Sequence, residues 1–188
     1  MIVNIRGTHG SGKSTLVRSL LTEHQHVAMA GSRRPDGYQL EVPGLARPVF
    51  VVGQYETACG GCDGIQPYSL IWPRVEQYAV RGHVLFEGAL VSSSYGNIGR
   101  ASEAYGDRFV FAFMGTPLEE CLRRVAARRA ARGDARPLDP KNTTVKYENV
   151  QRSLPKIRDE LGRRVVVLKP GSELAQIMLL LREDEQCP

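Results

Sequence analysis

The chain has 188 residues, of which 42% are hydrophobic and 24% are charged, values close to the averages of one globular domain. This composition excludes a disordered or fibrous chain. No apolar run approaches the roughly 18 residues of a membrane span, and the first residues lack the basic start and long apolar stretch of a secretory signal. We therefore expect a single soluble cytoplasmic domain over residues 1–188, without a membrane partner.

The net charge of +5 is carried mainly by arginine, with 20 Arg against 5 Lys. Six of these arginines lie between Arg123 and Arg136, a stretch with one acidic residue, Asp134. Guanidinium groups bind phosphate through a planar fork of donors, so this stretch favours a phosphate-handling surface. The alternative is a solvated helix face in a chain with a codon bias toward arginine.

In chain order, short apolar strands alternate with helices. The strands share β-branched and aromatic residues between turn signals, and we predict them at Ile2–Arg6, Tyr38–Val42, Val49–Val52, His83–Phe86, Arg108–Met114 and Arg164–Leu168. The helices share apolar residues at helical spacing, and we predict them at Lys13–Leu21, Pro73–Arg81, from Thr116 onward, at about 143–161 and at Glu173–Leu181. This alternation predicts an α/β fold with a mostly parallel central sheet.

The helix that begins near Thr116 has two distinctive features. In Thr116-Pro117-Leu118-Glu119, the threonine is placed to cap the helix and the glutamate to complete a capping box. Further along, Arg124, Arg128 and Arg132 are four residues apart and form a stripe on one face. An irregular stretch with two prolines follows, which predicts an arginine-rich lid over about 124–148.

The glycine-rich segment Gly7-Thr8-His9-Gly10-Ser11-Gly12-Lys13-Ser14 fits the P-loop pattern G-x-x-x-x-G-K-[ST]. It follows a buried strand and opens an amphipathic helix, where backbone N–H groups converge on a phosphate. In this pattern the lysine reaches the β- and γ-phosphates of a nucleoside triphosphate and the serine hydroxyl takes one Mg²⁺ position. We expect His9 to point outward. The predicted nucleotide-binding residues are Gly7, Gly10, Ser11, Gly12, Lys13, Ser14 and Thr15.

A carboxylate ends a later apolar strand, in Leu85-Phe86-Glu87-Gly88. At the carboxyl end of a strand beside the P-loop strand, Glu87 could hold Mg²⁺ or accept a proton from an acceptor hydroxyl. The alternative is a surface acid that caps the next turn.

With these motifs the chain resembles the P-loop kinases of nucleosides and nucleotides. The resemblance implies a three-layer α/β/α fold, ATP and Mg²⁺ as cofactors, and a lid whose arginines close over the phosphates. Arg124-Val125-Ala126-Ala127-Arg128 lies where the lid pair of this family lies, with Arg129 and Arg132 as further candidates. Lys169-Pro170-Gly171 lies where these kinases stack the adenine. Departures are also present, because Glu87-Gly88-Ala89-Leu90-Val91 matches neither the Asp-Gly pattern of adenylate kinases nor the Asp-Arg of thymidylate kinases.

The segment from Gly53 to Gly64 looks like a stretch in phage-encoded P-loop kinases that phosphorylate 5-hydroxymethyluridine in DNA. This resemblance implies the base hydroxymethyl group as acceptor and modified DNA as partner. Glycines allow close backbone approach, tyrosines offer stacking faces and acids can meet a hydroxyl. The predicted acceptor-binding residues are Tyr55, Glu56, Cys59, Gly60, Gly61 and Asp63. The catalytic base stays open among Glu87, Asp63 and Glu56, and the loop could also be purely structural.

The pair Cys59 and Cys62 forms a single C-x-x-C pattern with no second pair of ligands at similar spacing, which favours a loop without structural zinc. The functional alternatives are a kinase of free nucleotides or nucleosides, a polynucleotide 5′-end kinase, and a P-loop ATPase or nucleotide-binding regulator without a small acceptor.

Overall fold

A computed structural model describes residues 1–29, 31, 34–57, 60–93, 98–99, 101–134 and 136–186. Its centre is one seven-stranded sheet with the order β2-β3-β4-β5-β1-β6-β7. Five neighbouring strands run parallel, namely β4, β5, β1, β6 and β7. At one edge of the sheet, β3 pairs antiparallel with both β2 and β4. The strands are β1 (Ile2–Arg6), β2 (His26–Met29), β3 (Gly37–Leu40), β4 (Val49–Val52), β5 (His83–Glu87), β6 (Phe109–Met114) and β7 (Arg164–Leu168).

Helices cover both faces of this sheet. The helices are α1 (Lys13–Glu23), α2 (Ile71–Ala79), α3 (Ala89–Ser93), α4 (Leu118–Ala130), α5 (Lys141–Pro155) and α6 (Glu173–Gln186), and a π-helical segment, Lys156–Glu160, extends α5. Short 3₁₀ helices lie at Cys62–Gly64, Tyr68–Leu70 and Ser102–Arg108. Within the described ranges, no helix is long and apolar enough to cross a bilayer.

Alternating side chains of β1 divide the core into two halves. Val3 and Ile5 pack with apolar residues of α1 and α6 on one face, including Leu20. Ile2 points to the other face, where it joins the phenylalanines of β6 and the apolar side of α2. This alternation is the pattern expected of a strand buried on both sides. The three-layer α/β/α fold predicted from the sequence is confirmed.

The order of the strands determines where the loops meet. Because β1 lies between β5 and β6, the loop after β1 leaves the sheet at the point where the chain order reverses. Open parallel sheets bind their ligands in the crevice at such a point, outside the carboxyl ends of the strands. The loops that follow β1, β4 and β5 therefore share one edge.

The structure corrects the prediction for the helix near Thr116. The helix begins at Leu118, with Pro117 in extended conformation as its N-cap and no side-chain cap. The Thr116 hydroxyl instead donates a hydrogen bond to the carbonyl of Ser11, over 2.8 Å. The capping-box prediction is wrong because this hydroxyl is used by a contact between distant segments, which local spacing does not reveal.

Candidate active site

The P-loop connects β1 to the amino end of α1 and packs closely against α4. Gly10 has a φ of +77°, and a Cβ there would collide with the carbonyl of Cys121. This position therefore requires glycine for both its backbone conformation and its close approach. The loop carries its backbone N–H groups at the positive end of α1, an arrangement suited to an anion.

Lys13 is buried at the centre of this loop. Its Nζ donates to the carbonyl of Gly7 over 2.9 Å and to that of Thr8 over 3.1 Å. Burial lowers the pKa of Lys13, an effect opposed by the nearby carboxylates of Glu87 and Asp63. The ammonium group is thus held against the loop that would enclose a phosphate.

Glu87 ends β5 beside the P-loop and is only 1% exposed. Its Oε1 accepts a hydrogen bond from the hydroxyl of Ser14 over 2.7 Å. Burial raises the pKa of Glu87, although Lys13 and the Ser14 hydroxyl oppose the rise. The interpretation of Glu87 as a surface acid capping a turn does not fit this burial.

The glycine-rich loop after β4 folds back on itself and meets Glu87. Gln54 and Gly61 exchange two backbone hydrogen bonds, of 3.1 and 2.9 Å, which close the loop. Gly61 has a φ of +94°, and a Cβ there would lie 2.5 Å from Glu87 Oε1. Asp63 Oδ2 accepts a hydrogen bond from the backbone N–H of Ala89 over 2.8 Å, at the start of α3. The backbone of this loop therefore lies close against Glu87, and its glycines allow the close approach that the sequence predicted.

Two other predicted residues of this loop, Tyr55 and Glu56, lie elsewhere. The ring of Tyr55 is 7% exposed and packs in the core near Tyr38, so the expectation that it offers a free stacking face is wrong. Glu56 accepts a hydrogen bond from the Tyr38 hydroxyl and does not line the cavity described below. Cys59 lies outside the described residues. The thiol of Cys62 is buried, with Sγ donating to the carbonyl of Val52 over 3.4 Å.

Among the described residues, no group of three or more His, Cys, Asp or Glu side chains is placed to hold a metal ion. This finding concerns protein-only metal cages, such as a zinc centre. A magnesium ion shared with phosphate oxygens needs only one or two protein ligands.

The two leading lid arginines both reach the P-loop region. Arg124 Nη1 lies 3.5 Å from the carbonyl of Gly10, while its Nε donates to Glu120 over 2.6 Å. Arg128, one turn later on α4, lines the cavity described below. The further candidates, Arg129 and Arg132, do not line it, and Arg129 instead pairs with Asp134 at 2.9 Å.

A contact between α5 and the P-loop was not predicted from the sequence. His9 is half-buried rather than pointing outward, and its Nε2 lies 2.8 Å from Nζ of Lys146. The Thr8 hydroxyl donates to the carbonyl of Thr143 over 3.2 Å. Burial and the neighbouring cations lower the pKa of His9. No motif pairs these residues, because they meet only through the packing of α5.

These elements surround one cavity of about 780 Å³. Its walls include the P-loop, Gly60, Asp63, Glu87, Arg124 and Arg128. The wall that follows β7 is formed by residues 171–175, and Lys169 and Pro170 do not line it. Those two residues were predicted to contact adenine, but the cavity lies against the start of α6 instead. Arg18 of α1 also lines the cavity, and its guanidinium donates to carbonyls of Tyr55 and Thr57.

No family model matches the chain. Among solved structures, a deoxyadenosine kinase from M. mycoides superimposes with a TM-score of 0.50 at 10% identity, over 97% of this chain and 100% of that one. Together with the P-loop pattern, this match shows that the chain has a P-loop fold of the type found in that nucleoside kinase.

Curated relatives identify the family. A 5-hmdU DNA kinase of Pseudomonas phage PaMx11 is 38% identical over 172 residues, covering 88% of both chains. The 5-hmdU DNA kinase of Delftia phage PhiW-14 is 29% identical over 207 residues, covering 97% of this chain and 76% of the relative. That of Pseudomonas phage M6 is 32% identical over 139 residues, covering 69% and 73%. The chain belongs to the 5-hmdU DNA kinase family and is a kinase.

Proposed function

We propose that this kinase transfers the γ-phosphoryl group of ATP to the hydroxymethyl oxygen of 5-hydroxymethyluridine in DNA, in the cytoplasm of a phage-infected cell. The observation that carries the proposal is the convergence of Lys13, Ser14, Glu87 and Asp63 on one cavity, with the glycine loop against Glu87. The names of the phage relatives support the choice of acceptor.

The nucleotide occupies the P-loop side of the cavity. The N–H groups at the start of α1 surround the phosphates, and Lys13 follows the charge that moves with the γ-phosphoryl group. Arg124 already lies against the loop at Gly10, and Arg128 lines the cavity beside it. The segment of about 124–148 acts as the lid of a single domain, and its two arginines stabilise the charge that develops during transfer.

Two oxygen donors fit a magnesium ion next to the phosphates. The Ser14 hydroxyl and the Glu87 carboxylate are hard oxygen ligands 2.7 Å apart, the type that Mg²⁺ prefers. A raised pKa indicates that the described neighbours compensate the charge of Glu87 incompletely, which favours a cation there. When bound, Mg²⁺ would neutralise charge on the phosphate oxygens.

Glu87 is also the proposed general base. Its carboxylate faces the cavity beside Gly60 and Gly61, so an acceptor hydroxyl at that loop can give up its proton to it. Asp63 lines the same wall, but its Oδ2 already accepts the N–H of Ala89, which favours a role in holding the acceptor. Glu56 pairs with Tyr38 away from the cavity.

The acceptor base must leave the stack to reach this cavity. A hydroxymethyl group inside a duplex cannot approach a phosphate held behind a P-loop, so the substrate is a flipped base or a single strand. The backbone of Gly60 and the carboxylate of Asp63 form the wall against which that base would lie.

Transfer of labelled γ-phosphate to a panel of acceptors tests the proposal. The panel contains DNA with 5-hydroxymethyluridine, matched thymine DNA, and free nucleosides and monophosphates. We expect label in the modified DNA alone, abolished by a chelator and restored by Mg²⁺. Label in both DNAs at their 5′ ends would indicate an end kinase, and label only in free compounds would indicate a nucleoside or nucleotide kinase. ATP hydrolysis unaffected by any acceptor would indicate an ATPase.

A further inference from the structure

Arg6, the last residue of β1, is a fully buried cation without an anionic partner among the described residues. Its guanidinium lies over two rings of β6, with Cζ 5.8 Å from the centroid of Phe111 and 5.7 Å from that of Phe113. Burial lowers the pKa of Arg6 to about 10, so the side chain stays charged at neutral pH. No hydrogen-bond partner for its Nε lies in the part of the chain that the structure describes.

The donors of Arg6 reach the last turn of α3. Nη1 donates to the carbonyl of Val91 over 3.2 Å and to Asn4 Oδ1 over 3.0 Å, and Nη2 donates to the carbonyl of Ser92. The next residue of the chain, Gly7, donates its N–H to the Ser92 hydroxyl over 3.3 Å. The last residue of β1 and the first residue of the P-loop therefore both bind the carboxyl end of α3.

The other end of α3 adjoins the acceptor side of the cavity. The helix starts two residues after Glu87, and its first N–H is bound by Asp63. α3 thus connects the glycine-rich loop, through Asp63, to the start of the P-loop. Arg6 contacts the carboxyl end of this helix.

We propose that Arg6 is a positioning residue for phosphoryl transfer, which rests on the function proposed above. By holding α3 against the P-loop, it sets the distance between the Glu87 side of the cavity and the phosphate cradle. A buried cation without a carboxylate is costly, and an apolar side chain of similar length would suit the surrounding phenylalanines better. The planar fork of donors is what an arginine supplies at this place, since it reaches two successive carbonyls.

The test compares Arg6→Met and Arg6→Lys with Arg81→Met. The control removes an exposed arginine that, like Arg6, lies over a phenylalanine ring, that of Phe50. For Arg6→Met we expect kcat to fall by about 30-fold or more, with KM for ATP within about threefold, because a small misplacement slows transfer without removing the phosphate site. Arg6→Lys should recover part of the rate. Arg81→Met should match the unmodified protein.

Hydrogen exchange of the α3 amides in residues 89–93 gives a second readout that does not depend on catalysis. We expect faster exchange in Arg6→Met than in Arg81→Met, at a temperature well below the melting transition of each. Ser92→Ala, which removes only the hydroxyl that binds Gly7, should lower kcat by a few-fold and keeps the proposal testable if Arg6→Met fails to fold.

An unchanged kcat or unchanged α3 exchange in Arg6→Met would overturn the proposal. A rate loss that only follows loss of folded protein and of ATP binding would also overturn it, because that is the result of a structural role. If the unmodified protein phosphorylates no acceptor, the proposed function fails, while α3 exchange still decides whether Arg6 holds the helix.

Discussion

The hydroxyl of Ser14 and the carboxylate of Glu87 form one hydrogen-bonded unit across the cavity, with 2.7 Å between Oγ and Oε1. Ser14 belongs to the first turn of α1, and Glu87 is the last residue of β5. The contact joins the phosphate side of the cavity to the side proposed for the acceptor. The ionisation of Glu87 would therefore affect both of the roles proposed for it, metal binding and proton transfer.

Glu87→Gln keeps the shape of the side chain and removes its charge. We expect activity to fall by about 100-fold or more because both proposed roles need the carboxylate. Asp63→Asn is the matched comparison and should be milder, since its amide keeps an oxygen for the N–H of Ala89. Steady-state rates of the two variants measure this, and the reverse order would place the base on the glycine loop.

The difference in stability between Glu87→Gln and the unmodified protein should depend on pH in a defined direction. Burial raises the pKa of Glu87, so the folded state binds the proton more tightly than the unfolded state. The stability contributed by the protonated acid is present at low pH and is lost as pH rises through the raised pKa. Glu87→Gln should therefore match the unmodified protein in acid and become more stable than it toward neutral pH. Denaturant unfolding at several pH values measures this, and a lower stability of the variant at neutral pH would contradict it.

Lys13→Ala removes the cation proposed to follow the transferred phosphoryl group. We expect a loss of about 3 kcal/mol of transition-state stabilisation, or roughly 100-fold or more in kcat/KM. Lys156→Ala, in the exposed π-helical segment after α5, is the control and should leave the rate unchanged. A rate for Lys13→Ala within tenfold of the unmodified protein would show that this P-loop does not perform the transfer.

Two adjacent arginines of α4 provide a matched test of the lid. Both Arg123 and Arg124 pair with Glu120 at 2.6 Å, but Arg124 also lies near the carbonyl of Gly10. We expect Arg124→Ala to lower kcat by about 10- to 100-fold, because it removes a charge proposed to stabilise the transition state. Arg123→Ala should change it less than twofold. Equal effects of the two variants in single-turnover rates would contradict the assigned lid.

Binding to DNA should weaken steeply with salt. Each phosphate that the protein neutralises releases counterions, so log affinity should fall with log salt by roughly 0.7 to 0.9 per phosphate. A net charge of +5 is compatible with several such contacts. Fluorescence anisotropy with labelled DNA at several salt concentrations measures the slope. A slope no steeper than that for one free monophosphate would argue against DNA as the substrate.

Local patterns were enough to predict the main fold and the loop that lines one side of the cavity. The apolar run Ile2–Arg6, the glycines before Lys13 and the apolar end of β5 before Glu87 each carry a signal within a few residues. The edge strand β2 was not predicted, because His26–Met29 is short and largely exposed and has no alternation of buried residues. α3 was also missed, since its five residues are held by contacts with Arg6 and Asp63 more than by helical periodicity.

The acceptor side depends on contacts between distant segments. Tyr55 resembles a stacking residue in sequence, but the Tyr38 and Tyr55 rings pack together in the core. The contact of His9 with Lys146 joins residues 137 positions apart. Such pairs follow from how β3 and α5 pack on the rest of the fold, and no short motif contains both members.

The location of the transferred phosphate in product DNA tests the central proposal most directly. DNA with 5-hydroxymethyluridine is incubated with ATP and the protein, digested to nucleotides, and analysed by mass spectrometry against matched thymine DNA. The proposal predicts one added HPO₃ unit on the 5-hydroxymethyluracil base of the modified DNA and none in the thymine DNA. Phosphate found only at 5′ ends, or no phosphate in either DNA while free nucleotides are phosphorylated, would contradict it.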